Sequence, residues 1–179
     1  MKASALLLFG TLLATTTAHA NGGLESDVIG WASGGYHGSL WYGTEKLRVR
    51  IVKAVFYAPG FTVPDGFEDL RNEAWEFFID TAWRPRGARF QGLWSGVGLE
   101  LYDRELRDEA SGATARFDAL ELALRTGYIW HPFSAGFYLN PWIGLNVRVD
   151  GADSVLVGER TYTPTRLTPL ASLKLGWRF

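Results

Sequence analysis

Apolar and polar residues alternate with a period of two over most of the chain after residue 20, which indicates β-strands. In the segment 71–84, Trp75, Phe77 and Ile79 share one face, and Glu76 and Asp80 lie on the other. Several of these segments are longer than ten residues, whereas strands of water-soluble proteins average about five or six. The pattern predicts eight strands, which we place at 24–32, 35–43, 46–57, 71–84, 89–104, 116–131, 135–149 and 167–179.

The two faces of these strands differ in a way that indicates a membrane. One face is continuously bulky and apolar, and the other mixes glycine, small polar residues and charges of both signs, as in a barrel with lipid outside and a tight polar lumen. Connections are short near 43–46, 85–88 and 131–134 and long at 58–70, 104–115 and 150–165, where 155–163 could form a hairpin. We therefore predict an all-β fold, an eight-stranded antiparallel transmembrane β-barrel with up-and-down meander topology.

The first twenty residues have the layout of a bacterial signal peptide. Lys2 supplies the positive start, residues 5–14 are apolar, and Ala18, His19 and Ala20 form a small-x-small cleavage site. The apolar run is about half of the roughly 20 residues that a transmembrane helix needs. We expect a cleaved signal peptide at 1–20 and one barrel domain at 21–179, exported to the bacterial outer membrane.

Composition removes several classes of function. The chain has 18 basic and 19 acidic residues, a net charge of -1 and no polybasic run, which argues against a nucleic-acid partner. The chain has no cysteine, so disulfides and thiolate metal sites are excluded. Outside the leader the histidines are His37 and His131, and we expect no metal site and no cofactor.

Five motifs resemble a group of small bacterial outer-membrane proteins of unestablished function. They are GYHGSLWYG (35–43), LRVR (47–50), VPDGFED (63–69), FYLNPW (137–142) and SLKLGWRF (172–179). The resemblance covers most of the mature chain and implies an outer-membrane barrel, but it implies no chemistry and no catalytic residue. The last motif also resembles the C-terminal signal that the outer-membrane assembly machinery reads, and this implies that machinery as a partner.

Charged residues on the inward faces predict a filled lumen, because an eight-stranded barrel has room only for its own side chains. Buried charges must be paired, since an isolated one costs several kcal/mol. We place Arg50, Asp80, Arg125 and Lys174 in a lower polar layer, and Glu76, Glu100, Glu121 and Arg148 in an upper one. The complete predicted network is Arg48, Arg50, Glu76, Asp80, Glu100, Glu121, Arg125, Arg148, Lys174 and Arg178.

Aromatic residues near the strand ends predict girdles at the two membrane interfaces. For the girdle at the short turns we select Trp41, Trp83, Phe90, Trp130, Trp177 and Phe179. For the opposite girdle we select Phe56, Tyr57, Tyr102 and Phe117.

His37 and Ser39 are the weak candidates for catalysis, because their i, i+2 spacing puts them on one face of a strand. A hydrogen-bonded pair in the lumen is the simpler interpretation. We expect a structural or surface-binding barrel that acts through its outer loops rather than an enzyme. The alternatives are an enzyme that modifies lipid A or phospholipid and, after that, a narrow channel. The expected lipid partners are lipopolysaccharide outside and phospholipid inside.

Overall fold

The computed structural model describes residues 21–58, 63–85, 87, 89–133 and 135–179. The predicted signal peptide at 1–20 lies outside the described residues and remains a prediction. No helix in the described part of the chain is long and apolar enough to cross a membrane.

Eight antiparallel strands close into a barrel, as the alternation predicts. The spatial order is that of a meander in which the first and last strands pair and close the wall. The elements in chain order are β1 (Asn21–Asp27), α1 (Val28–Ala32), β2 (Tyr36–Gly43), β3 (Leu47–Phe56), β4 (Phe67–Ala82), β5 (Gly92–Asp108), β6 (Thr114–Ile129), β7 (Phe137–Gly151), β8 (Val155–Val157), β9 (Arg160–Tyr162) and β10 (Leu167–Arg178). We call the end with connections 44–46, 83–91 and 130–136 the turn end and the opposite end the loop end.

The strands are strongly staggered. A row of directly paired residues starts at Tyr138 on β7 and returns to the same strand at Arg148, a stagger of 148 − 138 = 10 residues. The row runs through Tyr138, Gly176, Glu25, Ser39, Val52, Glu76, Glu100, Glu121 and Arg148. For eight strands this stagger corresponds to a tilt of about 40° from the barrel axis. The row therefore climbs from the turn end toward the loop end as it passes round the wall.

The first predicted strand, 24–32, is wrong in its bounds. β1 is Asn21–Asp27, and the chain then turns into the helix Val28–Ala32. The carboxylate of Asp27 caps this helix by accepting a 3.0 Å hydrogen bond from the N–H of Ile29. An Asp before a helix favours such a cap, and this cap ends the strand about five residues earlier than the apolar pattern suggests.

The rim of the barrel is uneven at the loop end. On β1 the wall stops two residues beyond Glu25, at Asp27, whereas on β5 it continues eight residues beyond Glu100, at Asp108. Above Lys174 the strand β10 pairs with β7 alone, and α1 packs beside it and against β2 and β3. The wall is therefore lowest at β1 and β2, where a helix replaces the missing length of strand.

Outward side chains form an apolar belt that runs round the whole barrel, and inward side chains are buried. The exposed members of this belt include Leu24, Leu40, Ile51, Phe77, Ile79, Val97, Leu99, Leu124, Ile143 and Leu175. Trp83, Trp130, Trp177 and Phe179 are exposed near the turn end, where the predicted girdle places them. Apolar side chains therefore cover the outside and charged side chains fill the inside, which is the opposite of the arrangement in a water-soluble barrel.

Trp41 and Phe90 are corrections to the predicted girdle. Both are buried, at 3% and 4% exposure, in a cluster inside the turn end. Trp41 lies two residues after the inward Ser39, so its side chain has the same inward direction, and the neighbouring Tyr42 faces outward instead. At the other girdle, Tyr102 and Phe117 are buried as well.

The predicted hairpin within 155–163 is present, as β8 paired with β9, and it folds over the loop end. Val157 is fully buried, and the ring of Tyr162 packs on those of Phe67 and Phe117. Arg160 donates to the carbonyls of Asp65 and Gly66, so the hairpin is held to the β3–β4 connection.

Candidate functional site

The candidate site is the charged interior of the barrel, where inward positions of all eight strands meet. Eight of the ten predicted charges are buried there: Arg48, Arg50, Glu76, Asp80, Glu100, Glu121, Arg125 and Lys174. The other two lie near the openings. Arg148 donates to the carbonyl of Ala152 and pairs with Asp153 near the loop end, and Arg178 donates to Asn21 near the turn end.

Two arginines and two carboxylates form a compact cluster in the lower part of the lumen. Asp80 accepts from Nε of Arg48 at 2.7 Å and from Nε of Arg50 at 2.6 Å. Glu25 accepts from Nη1 of Arg48 at 2.8 Å, so each cation and each carboxylate shares partners. All four side chains are fully buried, and only such multiple pairing offsets the cost of removing them from water.

Aromatic rings close the lumen below this cluster. The guanidinium of Arg48 lies 4.8 Å from the ring centre of Phe90 and 5.2 Å from that of Trp94. The indole of Trp41 donates to the hydroxyl of Tyr138 at 2.7 Å, and this hydroxyl contacts Glu25 at 3.0 Å. Ring contacts and hydrogen bonds thus fill the turn end of the lumen with packed side chains.

Three carboxylates occupy directly paired positions on adjacent strands in the upper part of the lumen, namely Glu76, Glu100 and Glu121. Like charges at such positions repel, so their neighbours must supply positive charge and hydrogen bonds. Glu100 pairs with Arg125 at 2.6 Å, and Glu121 pairs with Arg104 at 2.6 Å. The amide of Asn146 donates to both Glu100 and Glu121 and so links the two.

The two polar layers lie at the heights that the sequence predicts, but some of the residues in each layer differ from the prediction. Arg50, Asp80 and Lys174 lie low, Glu76, Glu100 and Glu121 lie high, and Arg125 reaches up to join the two levels. We call the set Glu25, Arg48, Arg50, Asp80 and Lys174 the lower layer, and the set Glu76, Glu100 and Glu121 the upper layer. Arg148 is not part of the upper layer, because it pairs with the loop residue Asp153.

Sequence reasoning missed Glu25, Asp27, Arg104, Asn140 and Asn146. The first two follow Leu24 in strict alternation, and this parity would have identified them had β1 been placed at 21–27. Asn140 and Asn146 are also lumenal by parity, but they carry no charge, so the pattern of charged residues does not identify them. Arg104 lies on β5 at the predicted strand end, so its inward direction was hidden by the boundary.

His37 and Ser39 both face inward and are buried, as their spacing predicts. Nδ1 of His37 accepts a hydrogen bond from the backbone N–H of Asp27 at 3.2 Å, so the ring proton is on Nε2. A catalytic triad needs the opposite tautomer, with Nδ1 donating to a carboxylate and Nε2 free to accept from serine. The hydroxyl of Ser39 has no hydrogen-bond partner among the described residues. This arrangement does not support nucleophilic catalysis.

Asp27 ties the low side of the rim together. Besides capping α1, its carboxylate accepts from the hydroxyl of Ser172 on β10 and from the indole of Trp142 on β7 at 2.9 Å. Trp31 of α1 donates to the hydroxyl of Ser26 at 2.6 Å. One buried carboxylate therefore links the start of the helix to β10 and β7.

At the loop end, Asp108 anchors the hairpin beyond the apolar belt of the wall. Its carboxylate accepts from the hydroxyl of Ser111 at 2.6 Å and from Arg160 at 3.2 Å. The hydrogen bond from Ser111 and, more weakly, the one from Arg160 hold the pKa of Asp108 below its ordinary value against the opposing effect of burial. No cluster of three or more metal-ligating side chains occurs in the described residues.

Comparisons with known proteins add no family. No family model matches the chain, and no curated protein matches it. The chain is similar to the crystal structure of Neisserial surface protein A (NspA), with 13% sequence identity and a TM-score of 0.48, over 89% of this chain and 92% of that one.

Proposed function

We propose that this chain is an integral outer-membrane barrel protein with a sealed lumen, which acts as a rigid scaffold for its loop end. The observation that carries the proposal is the inversion of the surface, with charges paired inside and large apolar side chains exposed all round the outside. In water such a belt would drive aggregation, whereas in a bilayer it matches the hydrocarbon.

The filled lumen supports a scaffold over a channel. Trp94, Arg48, Tyr138, Glu100 and Glu121 are among the largest fully buried side chains, and they span the lumen from the turn end to the upper layer. An ion crossing the barrel would have to break paired charges at both layers. The filled lumen therefore favours a structural role for the barrel over transport.

The loop end supports a role in surface binding. The hairpin β8–β9 is fixed by Arg160 and by the buried Val157, while Leu156 in the middle of β8 is 68% exposed. A rigid loop loses little conformational entropy when it binds a partner. We propose that this hairpin is the contact surface of the scaffold.

Membrane fractionation and bilayer recordings test the proposal together. We expect the protein in the outer-membrane fraction after extraction of peripheral proteins, with gel mobility that changes on boiling. In planar bilayers the refolded protein should give no stepwise conductance. Recovery in the soluble periplasm would overturn the membrane location, and regular single-channel steps would overturn the sealed lumen.

We also propose that the assembly machinery recognises the last strand. β10 alternates to its end, and the terminal Phe179 is exposed beside Trp177. Replacing Phe179 with serine should reduce the amount of assembled, heat-modifiable protein. Replacing the exposed Phe133, which lies in the β6–β7 connection, is the matched control and should leave assembly unchanged.

A further inference from the structure

A groove of about 670 Å³ crosses the outer wall over β1, β2 and β3, on the low side of the rim. Its floor is Gly38, and Leu24, Leu40, Ile51 and Trp75 form its apolar sides. Leu24 and Leu40 are directly paired and both face outward, so the groove lies in the apolar belt.

Gly38 has no structural requirement for glycine. Its backbone does not have positive φ, and no heavy atom lies within 4 Å of the position that a Cβ would occupy. By contrast, a Cβ at Gly96 or Gly98 would collide with Asp80 or Phe78 inside the barrel. Glycine weakens a strand, and in strand interiors it often marks a bulge, a bend or a close approach by a ligand or another backbone. The pairing of β2 with β3 shows no register shift at Gly38. The open floor is therefore a candidate binding surface.

The groove has one charged end. Lys53 pairs directly with Gly38 and is the cation that lines the groove with an outward side chain. Its ammonium contacts Glu73 at 2.5 Å and lies 4.8 Å from the ring centre of Trp75. Glu73 also pairs with Arg71 at 2.7 Å, so one carboxylate serves two cations and keeps a partner if Lys53 turns to a ligand.

We propose that this groove binds lipid A, with a phosphate at Lys53 and an acyl chain along the floor over Gly38. The inference rests on the proposed outer-membrane location. The charged end lies toward the loop end and the apolar floor extends toward Leu175 and Trp177 near the turn end. Bacterial barrels place their long loops outside the cell, so a lipid in that orientation belongs to the outer leaflet of the proposed membrane, where the acyl lipid is lipopolysaccharide. An acyl chain gains stability from each methylene that it buries against such a floor.

Native mass spectrometry of the full-length mature barrel in octyl glucoside, titrated with purified lipid A, tests the proposal. Gly38→Leu fills the floor, and Thr81→Leu adds the same apolar bulk at an exposed outward position on β4 outside the groove. Wild type and the Thr81 variant should retain one saturable lipid A, and Gly38→Leu should bind it about tenfold more weakly. Lys53→Gln leaves the floor intact and should weaken binding several-fold through the lost phosphate contact.

The outcomes separate this inference from the proposed function. Membrane insertion and heat-modifiable mobility are measured on the same proteins. If wild type is inserted but binds lipid A no better than Gly38→Leu, the groove is not a lipid site. If dioleoylphosphatidylglycerol in the same titration binds as tightly as lipid A, the assignment to the outer-leaflet glycolipid is wrong. A soluble wild type would overturn the proposed location itself.

Discussion

Arg125 on β6 donates a 2.6 Å hydrogen bond through Nη2 to Oε1 of Glu100 on β5, and this ion pair lies at the centre of the upper layer of the lumen. Glu100 is fully buried and has a second carboxylate on either side of it in the paired row. Among the described residues, Arg125 is the cation that pairs with Glu100, and Arg104 is the one that pairs with Glu121.

Replacing Arg125 with alanine should lower the free energy of unfolding by about 3–5 kcal/mol, because it leaves a buried carboxylate without its cation. Urea unfolding in detergent, followed by tryptophan fluorescence, measures the change. Arg116→Ala is the control, since Arg116 lies on the same strand, faces outward and pairs with Glu105 in an exposed position. Equal stability of both variants would show that Arg125 does not face the lumen.

Lipid-facing charges should destabilise the barrel in proportion to their depth. Val97 lies four residues from Leu93 and four from Leu101 on the outward face of β5, in the middle of the belt. Val97→Arg should cost about 2–4 kcal/mol, and Leu93→Arg at the turn-end edge about 0–1 kcal/mol. The two values come from unfolding in phospholipid vesicles. If the edge variant were the more damaging, the position of the membrane along the barrel would have to be revised.

Asp27→Ala should release α1 from the low side of the rim. The change removes the helix cap, worth about 1 kcal/mol, and leaves the partly buried indole N–H of Trp142 without this acceptor, at about 1 kcal/mol. Faster amide hydrogen exchange at residues 28–33, with unchanged exchange in β5, is the expected signature. Asp27→Asn keeps an acceptor and should largely restore protection. Unchanged exchange in the alanine variant would contradict the anchoring role of Asp27.

The hairpin β8–β9 should loosen in acid. The lowered pKa of Asp108 means that its contacts with Ser111 and Arg160 stabilise the loop end above the ordinary aspartate pKa, near pH 4. This stabilisation is lost as the pH falls through the lowered folded pKa. Amide chemical shifts of residues 155–162 should therefore titrate below about pH 4. Asp108→Asn should abolish that titration, and its persistence in the variant would assign the transition to another group.

Period-two alternation and strand length were enough to predict the eight-stranded barrel, because the two faces of each strand carry opposite chemistry. Parity also placed Arg48, Glu76 and Lys174 inside correctly. The parity argument failed where a strand boundary was wrong, as at Asp27, where β1 ends early. A helix cap is a local hydrogen bond, and the periodicity of apolar residues does not reveal it. Trp41 shows a different limit. Its side chain points inward with that of Ser39, two residues away. The size of the indole and its position near a strand end had instead predicted contact with lipid.

Distances between partners could not be predicted, because they depend on the stagger. A shift of one residue between adjacent strands would exchange every neighbour in the lumen, and the sequence alone does not report the ten-residue total. Arg104 on β5 and Asn146 on β7 contact Glu121 on β6 because the stagger brings their side chains to the same height. The spacing of His37 and Ser39 likewise says nothing about the tautomer of His37. The hydrogen bond from the N–H of Asp27 determines that tautomer.

The uneven rim also has a consequence for the surrounding bilayer. On β5 the outward residues beyond Leu101 are Asp103, Glu105 and Arg107, so the extra length of that strand is polar on its outer face. Beside β1, where the strand ends at Asp27, Ile29 and Trp31 of α1 are exposed. In the proposed membrane location, a short helix rather than a strand therefore borders the lipid on the low side of the rim.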